Sequence, residues 1–450
     1  MSDKKNFFVI GLGKSGKAVT RLLAERGFMV TVFDDDTTAL PSVFDAPELD
    51  RLRHHIELAT ADNARGLVGK SDCLVVSPGV PLDHTVVEKA RKEGIEVTGE
   101  LEVAHHWCSA DIIAVTGTNG KSTVVSLLGD ILQAADRRHV VAGNIGTPLS
   151  SVISDARKID IAVLEVSSFQ LDTISDFRSR VAVLLNVTPD HLDRYDNSFK
   201  KYAESKARIL RNADEATWFV YNDEDTVCRR IAETHVGKKF PFGTAPVSGD
   251  GVYVQNGSIV RSWRGKVETV LAVSDFSPVG IHNLENAMAA VAAVTPFDVE
   301  VEVVGKALKG YRALAHRMEL SRVVGGVAYI NDSKATNVDA TIKSVRSIEG
   351  KVVLIAGGLD KEGDYRPLAE HLADVRRVIL IGQASEKIEA TLQGSCEITR
   401  AKTMAEAVGV ASEVAQAGDT VLLAPACASF DMFDNYAERG EAFKAAVSSL

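Results

Sequence analysis

The sequence predicts an α/β protein built as three domains. Its 450 residues exceed what one compact core holds, at roughly 100–200 residues per domain. Short apolar runs alternate with segments of helical period, and that alternation implies parallel strands with helices on their faces. The runs fall into three groups divided near residues 100 and 314, which gives domains at 1–100, 101–314 and 315–450.

The first group opens with a strand at 7–10, a glycine turn, a helix at 17–26 that stops at Gly27, and a strand at 29–33 closed by Asp34, Asp35 and Asp36. Strands at 73–76 and 95–98 complete a Rossmann-like unit. The second group starts with a strand at 112–115, whose glycine loop feeds a helix at 122–134; buried strands follow at 161–164, 181–185 and 218–221. Between 241 and 278 the texture changes to short alternating segments with Gly and Ser turns. That is the pattern of antiparallel hairpins, a small sheet attached to the central domain. Beyond a hinge at 311–317, strands at 327–330, 352–355, 378–381 and 421–423 alternate with helices as a second Rossmann-like unit.

Composition narrows the function classes. Hydrophobic residues at 45% and charged residues at 25% are a globular balance, which excludes global disorder. A net charge of −10 repels a phosphate backbone and argues against nucleic-acid partners. A local nest of backbone N–H groups can still hold a nucleotide. The five cysteines are scattered without a CxxC pair, which fits a reducing compartment and gives no zinc site. The apolar run after Lys4 and Lys5 breaks at once into glycines, and no stretch approaches the roughly 18 apolar residues of a membrane span. The expectation is a cytoplasmic protein that neither crosses nor anchors in a membrane.

The strand at 112–115 enters TGTNGKST at 116–123. Glycines there let successive N–H groups face phosphate oxygens, the following helix adds its positive end, Lys121 reaches the β- and γ-phosphates, and Ser122 or Thr123 can meet Mg²⁺. Val115 stands where the full P-loop pattern has glycine, so the loop is a shortened relative of it. GLGKSG at 11–16, with Asp34 after the next strand, fits a dinucleotide or any other diphosphate ligand. Glu165 follows a buried strand, as a Mg²⁺ anchor beside a phosphate loop does. His191 is flanked by Asp190 and Asp193, which suits a metal or phosphate site, although a lone His is as often structural. Lys206 shares a helical stretch with Lys200 and Lys201 and reads as part of a solvated face. In the third group, polar loops at 331–337, 357–361 and 425–429 end adjacent strands, the usual ligand crevice of an open sheet. Lys334, Thr336, Lys361 and Ser429 there favour an anionic ligand, and Cys427, with no His placed to activate it, reads as a small buried residue.

GTNGKST, EVSSFQ, NVTPDHLDRY, HNLENAMAA, HRME and NDSKATN occur in that order, and together the chain resembles the Mur ligases, the amide-forming synthetases of bacterial cell-wall assembly. The resemblance implies an ATP- and Mg²⁺-dependent ligase that phosphorylates the carboxylate of a UDP-sugar-linked alanine and joins it to D-glutamate. It implies small-molecule partners only and a monomer. By motif position, Gly117, Thr118, Asn119, Gly120, Lys121, Ser122, Thr123, Asn283, Asn286, Arg317 and Asp332 would bind ATP. Gly13, Lys14, Ser15, Gly16, Asp35, Ser77, Pro78 and Gly79 would bind the UDP-sugar, with Asn144 near it. Lys334, Thr336, Lys361, Ser429, Phe430 and Tyr436 would line the D-glutamate site. Lys121, Glu165, His191 and Lys206 would be catalytic. Ser122, Thr123, Glu165 and His191 would hold metal with Lys206 as a carbamate, which reverses the bland reading of that lysine.

One stretch departs from the family pattern: Asp34, Asp35 and Asp36 stand where a Thr-Arg pair would meet uracil. Three other readings stay open. They are a Mur-type ligase for a different amino acid, a dinucleotide-dependent oxidoreductase built on GLGKSG, and a nucleotide-sensing protein without turnover. The oxidoreductase reading leaves the central loop unexplained. A closure of the domains about 311–317 is expected, because the ATP and amino-acid groups lie on different domains.

Overall fold

The computed structural model describes residues 5–154, 158–278 and 280–450. It contains three sheets. The first comprises β1 (Asn6–Ile10), β2 (Met29–Phe33), β3 (Ile56–Leu58), β4 (Cys73–Val76) and β5 (Glu96–Gly99) in the order β3-β2-β1-β4-β5. All its pairings are parallel. The central strands β1 and β4 are buried on both faces, which is why they read as unbroken apolar runs and not as alternations.

The second sheet comprises β6 (Asp111–Thr116), β7 (His139–Gly143), β8 (Ile161–Glu165), β9 (Val181–Leu184), β10 (Trp218–Asn222), β11 (Lys238–Gly243), β12 (Gly251–Gln255), β13 (Ser258–Trp263) and β14 (Lys266–Ala272). Its order is β14-β13-β12-β11-β10-β9-β6-β8-β7. The hairpins expected at 241–278 are present as β12, β13 and β14, antiparallel to one another. They do not stand apart: β12 pairs parallel with β11 through Phe242 with Val252 and Gly243 with Tyr253, so one sheet runs across the whole domain. Against it pack the helices Lys121–Ala134 and Ile281–Val294, the second buried nearly all round from Ala287 to Val294.

The third sheet comprises β15 (Glu319–Val324), β16 (Val327–Asn331), β17 (Val352–Gly357), β18 (Val375–Ile381), β19 (Ile398–Arg400) and β20 (Thr420–Leu423). Its order is β15-β16-β20-β17-β18-β19, parallel except for the edge strand β15. No helix among the described residues is long and apolar enough to cross a membrane.

Candidate active site

The site is built where the carboxyl ends of the strands of all three sheets meet. β6 delivers the glycine loop, and the helix Lys121–Ala134 begins at Gly120 with no side-chain cap. Gly120 has φ +90°, and a Cβ there would sit 2.2 Å from Asn286 Oδ1, so only glycine lets this turn close against the helix Ile281–Val294. The N–H groups of the first helical turn have no intrahelical acceptor and carry the positive end of the helix dipole.

The loop differs from its sequence reading in one respect. The N–H of Thr118 donates to the Asn186 carbonyl at 2.9 Å, and that of Asn119 to Asn186 Oδ1 at 2.8 Å. The Thr118 hydroxyl donates to the Thr188 carbonyl at 3.0 Å and lies 3.2 Å from the Tyr202 hydroxyl. These groups bind the loop to the segment 186–188. Lys121 folds back on the loop, donating to the carbonyls of Gly117 at 2.8 Å and Thr118 at 2.9 Å. Burial lowers its ammonium pKa.

Facing the loop is a cavity of about 280 Å³ that brings together Lys121, Ser122, Glu165, His191, Lys206 and Arg317, with Lys334 and Thr336 from the third domain. Glu165 is 1% exposed; its Oε1 accepts from Asn144 Nδ2 at 3.0 Å, while Oε2 has no hydrogen-bond partner. A buried carboxylate oxygen without a partner is costly, and a cation or donor in the cavity would relieve it. His191 sits in the left-handed region at φ 51°, which turns its ring towards Phe169 at 5.2 Å. Burial, reinforced by Lys361 and Lys121 against the pull of Asp190, holds its pKa down to about 4, so the imidazole is neutral at pH 7. Lys206 is the sharpest revision of the residue-level reading: it is 2% exposed, where its neighbours Lys200 and Lys201 face solvent. Its Nζ donates to the Gly117 carbonyl at 2.8 Å, and burial together with Lys121 drives its pKa well below the usual lysine value.

A second, tighter cavity lies between Asn119, Gly120 and Thr123 on one side and Asn283, Asn286, Arg317 and Asp332 on the other. His282, Asn186 and Lys343, which the sequence did not single out, also line it. Asp332 is buried and held by the Ser344 hydroxyl and by the Met318 N–H at 3.3 Å.

In the first domain a cavity of about 380 Å³ is lined by Gly13, Lys14, Ser15, Asp35, Ser77, Pro78 and Gly79. Asn144 lines both this cavity and the central one, so the two are neighbours across the domain boundary. Two residues expected to contact a ligand here have structural work. Ser77 Oγ donates to the Gly11 carbonyl at 2.6 Å, and Gly16 packs so closely that a Cβ would lie 1.8 Å from Gly11 O. Asp34, which a dinucleotide would need for its ribose, accepts from the N–H groups of Leu12 and Asp36. Asp35 remains at the cavity, paired with His84 Nε2 at 3.2 Å. His84 caps its helix by accepting from the Val86 N–H through Nδ1, which leaves Nε2 to face Asp35.

A fourth cavity, about 460 Å³, shares Asp190, His191, Thr336 and Asn337 with the central one and contains Lys361 and Tyr365. Lys361 donates to Asp190 at 2.7 Å. Lys334 lies 4.1 Å over the Tyr436 ring, and burial beside Arg317 and Lys121 lowers its pKa to about 7. Ser429 is buried and Phe430 exposed on the turn after Ala428. None of these four cavities is lined by Ser429, Phe430 or Tyr436.

An uncapped phosphate-loop helix facing a buried carboxylate, with lysines converging from two domains, defines a site for activating a substrate with a nucleotide's phosphate. Comparison with known proteins gives the class. Residues 5–99 match the Mur ligase MurD-like N-terminal domain, 115–294 the Mur ligase middle domain, and 316–427 the Mur ligase glutamate ligase domain. The chain belongs to the Mur ligase family of ATP-dependent ligases. It is 41% identical to the UDP-N-acetylmuramoylalanine–D-glutamate ligase of Geotalea daltonii, covering 99% of this chain and 98% of that protein. It is 40% identical to the enzyme of the same name from Salinibacter ruber, over 98% and 97%. In fold it is similar to UDP-N-acetylmuramate-alanine ligase MurC of Thermotoga maritima, with a TM-score of 0.60 at 18% identity over 99% of both chains.

Proposed function

We propose that this chain joins D-glutamate to UDP-N-acetylmuramoylalanine at the expense of ATP, in the cytoplasm and as a monomer. Full-length identity of about 40% to ligases of that name supports the choice of substrates. The observation that carries the chemistry is the central cavity, where Lys121, Glu165, His191 and Lys334 converge beside the uncapped helix start.

In this reading residues 1–100 hold the UDP-sugar, 101–314 hold ATP and 315–450 hold the amino acid. The alanyl carboxylate takes the γ-phosphoryl group of ATP and ADP is released, because a carboxylate is a poor electrophile and the acyl phosphate, a mixed anhydride, has a leaving group. The amine of D-glutamate attacks the acyl carbon, and phosphate leaves as the amide forms. Lys121 and the N–H groups of Gly120–Thr123 stabilise charge on the transferring phosphoryl group. Asn144 lies between the sugar and phosphate cavities, where the alanyl carboxylate must pass. Lys334, Lys361 and Thr336 offer cations and a donor for the carboxylates of D-glutamate, with Ser429, Phe430 and Tyr436 beyond them. Asn283, Asn286, Arg317 and Asp332 hold the nucleotide across the hinge.

The residues also fit Mg²⁺. Glu165 Oε2 is unpartnered and His191 is neutral, while Ser122 and Thr123 supply hydroxyls. Among the described residues no three His, Cys, Asp or Glu side chains gather into a metal cluster. Phosphate oxygens and Lys206 as a carbamate would supply the remaining ligands. The uncharged Lys206 amine attacks CO₂, forming an N–C bond and releasing a proton, and so becomes an anion. Bound metal would neutralise phosphate charge during transfer.

The test is phosphate release from ATP with each substrate in turn. Release that requires both UDP-N-acetylmuramoylalanine and D-glutamate is expected. Release indifferent to D-glutamate but stimulated by another amino acid would overturn the substrate assignment.

A further inference from the structure

The third domain reaches the phosphate loop through the side chains of Asn337 and Asp339. Asn337 caps the helix Val338–Arg346, its Oδ1 accepting from the Ala340 N–H at 2.9 Å. That bond fixes the amide's orientation and turns Nδ2 towards the central domain. There Nδ2 donates to Asn119 Oδ1 at 3.1 Å and to Asp190 Oδ2 at 3.1 Å. Asn119 answers from the loop: its Nδ2 donates to Asp339 Oδ2 at 2.9 Å and to Asn337 Oδ1 at 3.3 Å. The Asn119 backbone is itself held on both sides by Asn186, at 2.8 Å to its N–H and 3.1 Å to its carbonyl. Asp190 takes Lys361 on its other oxygen. Asn337 is 7% exposed, so these bonds form away from water, where an unmade partner is costly.

We propose that Asn337 is a positioning residue that latches the amino-acid domain to the phosphate loop. It touches no reacting atom. It acts through Asn119, which shares the loop with Lys121, and through Asp190, which adjoins His191. With Asn337 holding one oxygen of Asp190, Lys361 can turn from the other oxygen to an incoming carboxylate without stranding a buried anion. An amide is required because the position must accept at the helix cap and donate twice across the interface. The assignment rests on the ligase reading for its kinetic assay only.

The test uses the full chain with Asn337→Ser and Asn337→Asp. Both keep an acceptor for the helix cap, so the helix itself is expected to hold. Asn337→Asp loses both donors, and Asn337→Ser keeps a single hydroxyl donor on a shorter side chain that cannot meet both Asn119 and Asp190. Losing a buried, charge-assisted hydrogen bond is worth about a ten- to hundredfold effect. The expected result is a rise of that size in the KM for D-glutamate, with the KM for the UDP-sugar substrate near that of the wild type. Asn337→Asp should be the worse, since it sets a new carboxylate beside Asp190 and Asp339. Asn337→Asp combined with Asp190→Asn reverses donor and acceptor and should recover part of the loss. Small-angle scattering with a non-hydrolysable ATP analogue gives a second readout: the wild type compacts and both single variants compact less. Wild-type KM and compaction in both variants overturn the latch. Equal losses for both substrates with a lowered thermal midpoint also overturn it, in favour of a structural role. A wild type whose phosphate release ignores D-glutamate removes the substrate reading, while the scattering comparison still decides the latch.

Discussion

Replacing Arg439 by alanine should unfasten the third domain. Arg439 is 1% exposed, and its guanidinium donates to Ser333 Oγ at 3.0 Å, Ser333 O at 2.9 Å, and the carbonyls of Cys427 and Ala428 at 3.1 Å each. Burial lowers its pKa only to about 10, so it is charged at neutral pH. These bonds tie the loop that carries Lys334 to the turn before Ser429. Removing the side chain strands several buried acceptors and opens a void. Because the losses overlap, the sum is capped near the cost of breaking a buried charged network, about 3–5 kcal/mol. For a domain of this size that is a fall of about 8–15 °C in the midpoint of the least stable transition. Differential scanning calorimetry of the full chain reads it, and hydrogen exchange at Ser333 and Cys427 locates it. Arg439→Lys keeps the charge but not the fork and should fall between. A midpoint within about 1 °C of wild type for Arg439→Ala would show that these bonds add nothing net, and the reasoning from buried acceptors would fail.

Further outcomes follow from the same geometry. Gly120→Ala forces a Cβ to 2.2 Å from Asn286 Oδ1 at φ +90°; overpacking and strain of about 2–4 kcal/mol should weaken ATP binding at least tenfold in calorimetric titration. Lys206→Ala should abolish most turnover, and the wild type should need dissolved CO₂ for full activity; full turnover in degassed, bicarbonate-free buffer would end the carbamate proposal. Burial holds His191 and His282 near pKa 4, below the 6.5 of an unfolded histidine. Their contribution to stability is therefore whole above pH 6.5 and lost as pH falls towards 4. Urea midpoints should drop across that window, and less so in His282→Ala. Asp35→Ala and His84→Ala should each raise the KM for the UDP-sugar substrate while leaving that for ATP unchanged, and a shift in the ATP term instead would place this pair elsewhere.

The three sheets were legible because buried parallel strands are apolar on both faces, and such runs stand out whatever surrounds them. The strands that escaped are short or lie at edges, apart from β11, whose run opens on Lys238 and Lys239 and contains Pro241. β15 leaves Leu320 and Val323 exposed, β7 leaves Val141 exposed, and β3 and β19 are three residues each. The glycine loop, Glu165 and His191 could be read from their order along the chain. Lys206 could not. Its helix has two exposed lysines on the preceding turns, and burial of the third depends on what packs over the end. Asn337 stood in a recognised motif without a role, because its partner Asn119 is 218 positions away. His84 and Asn186 are polar residues whose meaning lies in partners far along the chain, Asp35 and Asn119.

His191 opens a short turn, Leu192–Tyr195, and Arg194 on that turn reaches the first domain, donating to the carbonyls of Pro78 and Val80 at 3.1 Å each. One residue before His191, Asp190 is bound from the third domain by Asn337 and Lys361. Residues 190–194 thus act as a keystone, a few residues of central-domain chain pressed from both sides by the two outer domains. A force applied at either outer domain arrives within three residues of the same imidazole. Substitutions along this segment should therefore resist sorting by substrate, and pairs drawn from Asp190, His191 and Arg194 should combine non-additively even though they contact different domains.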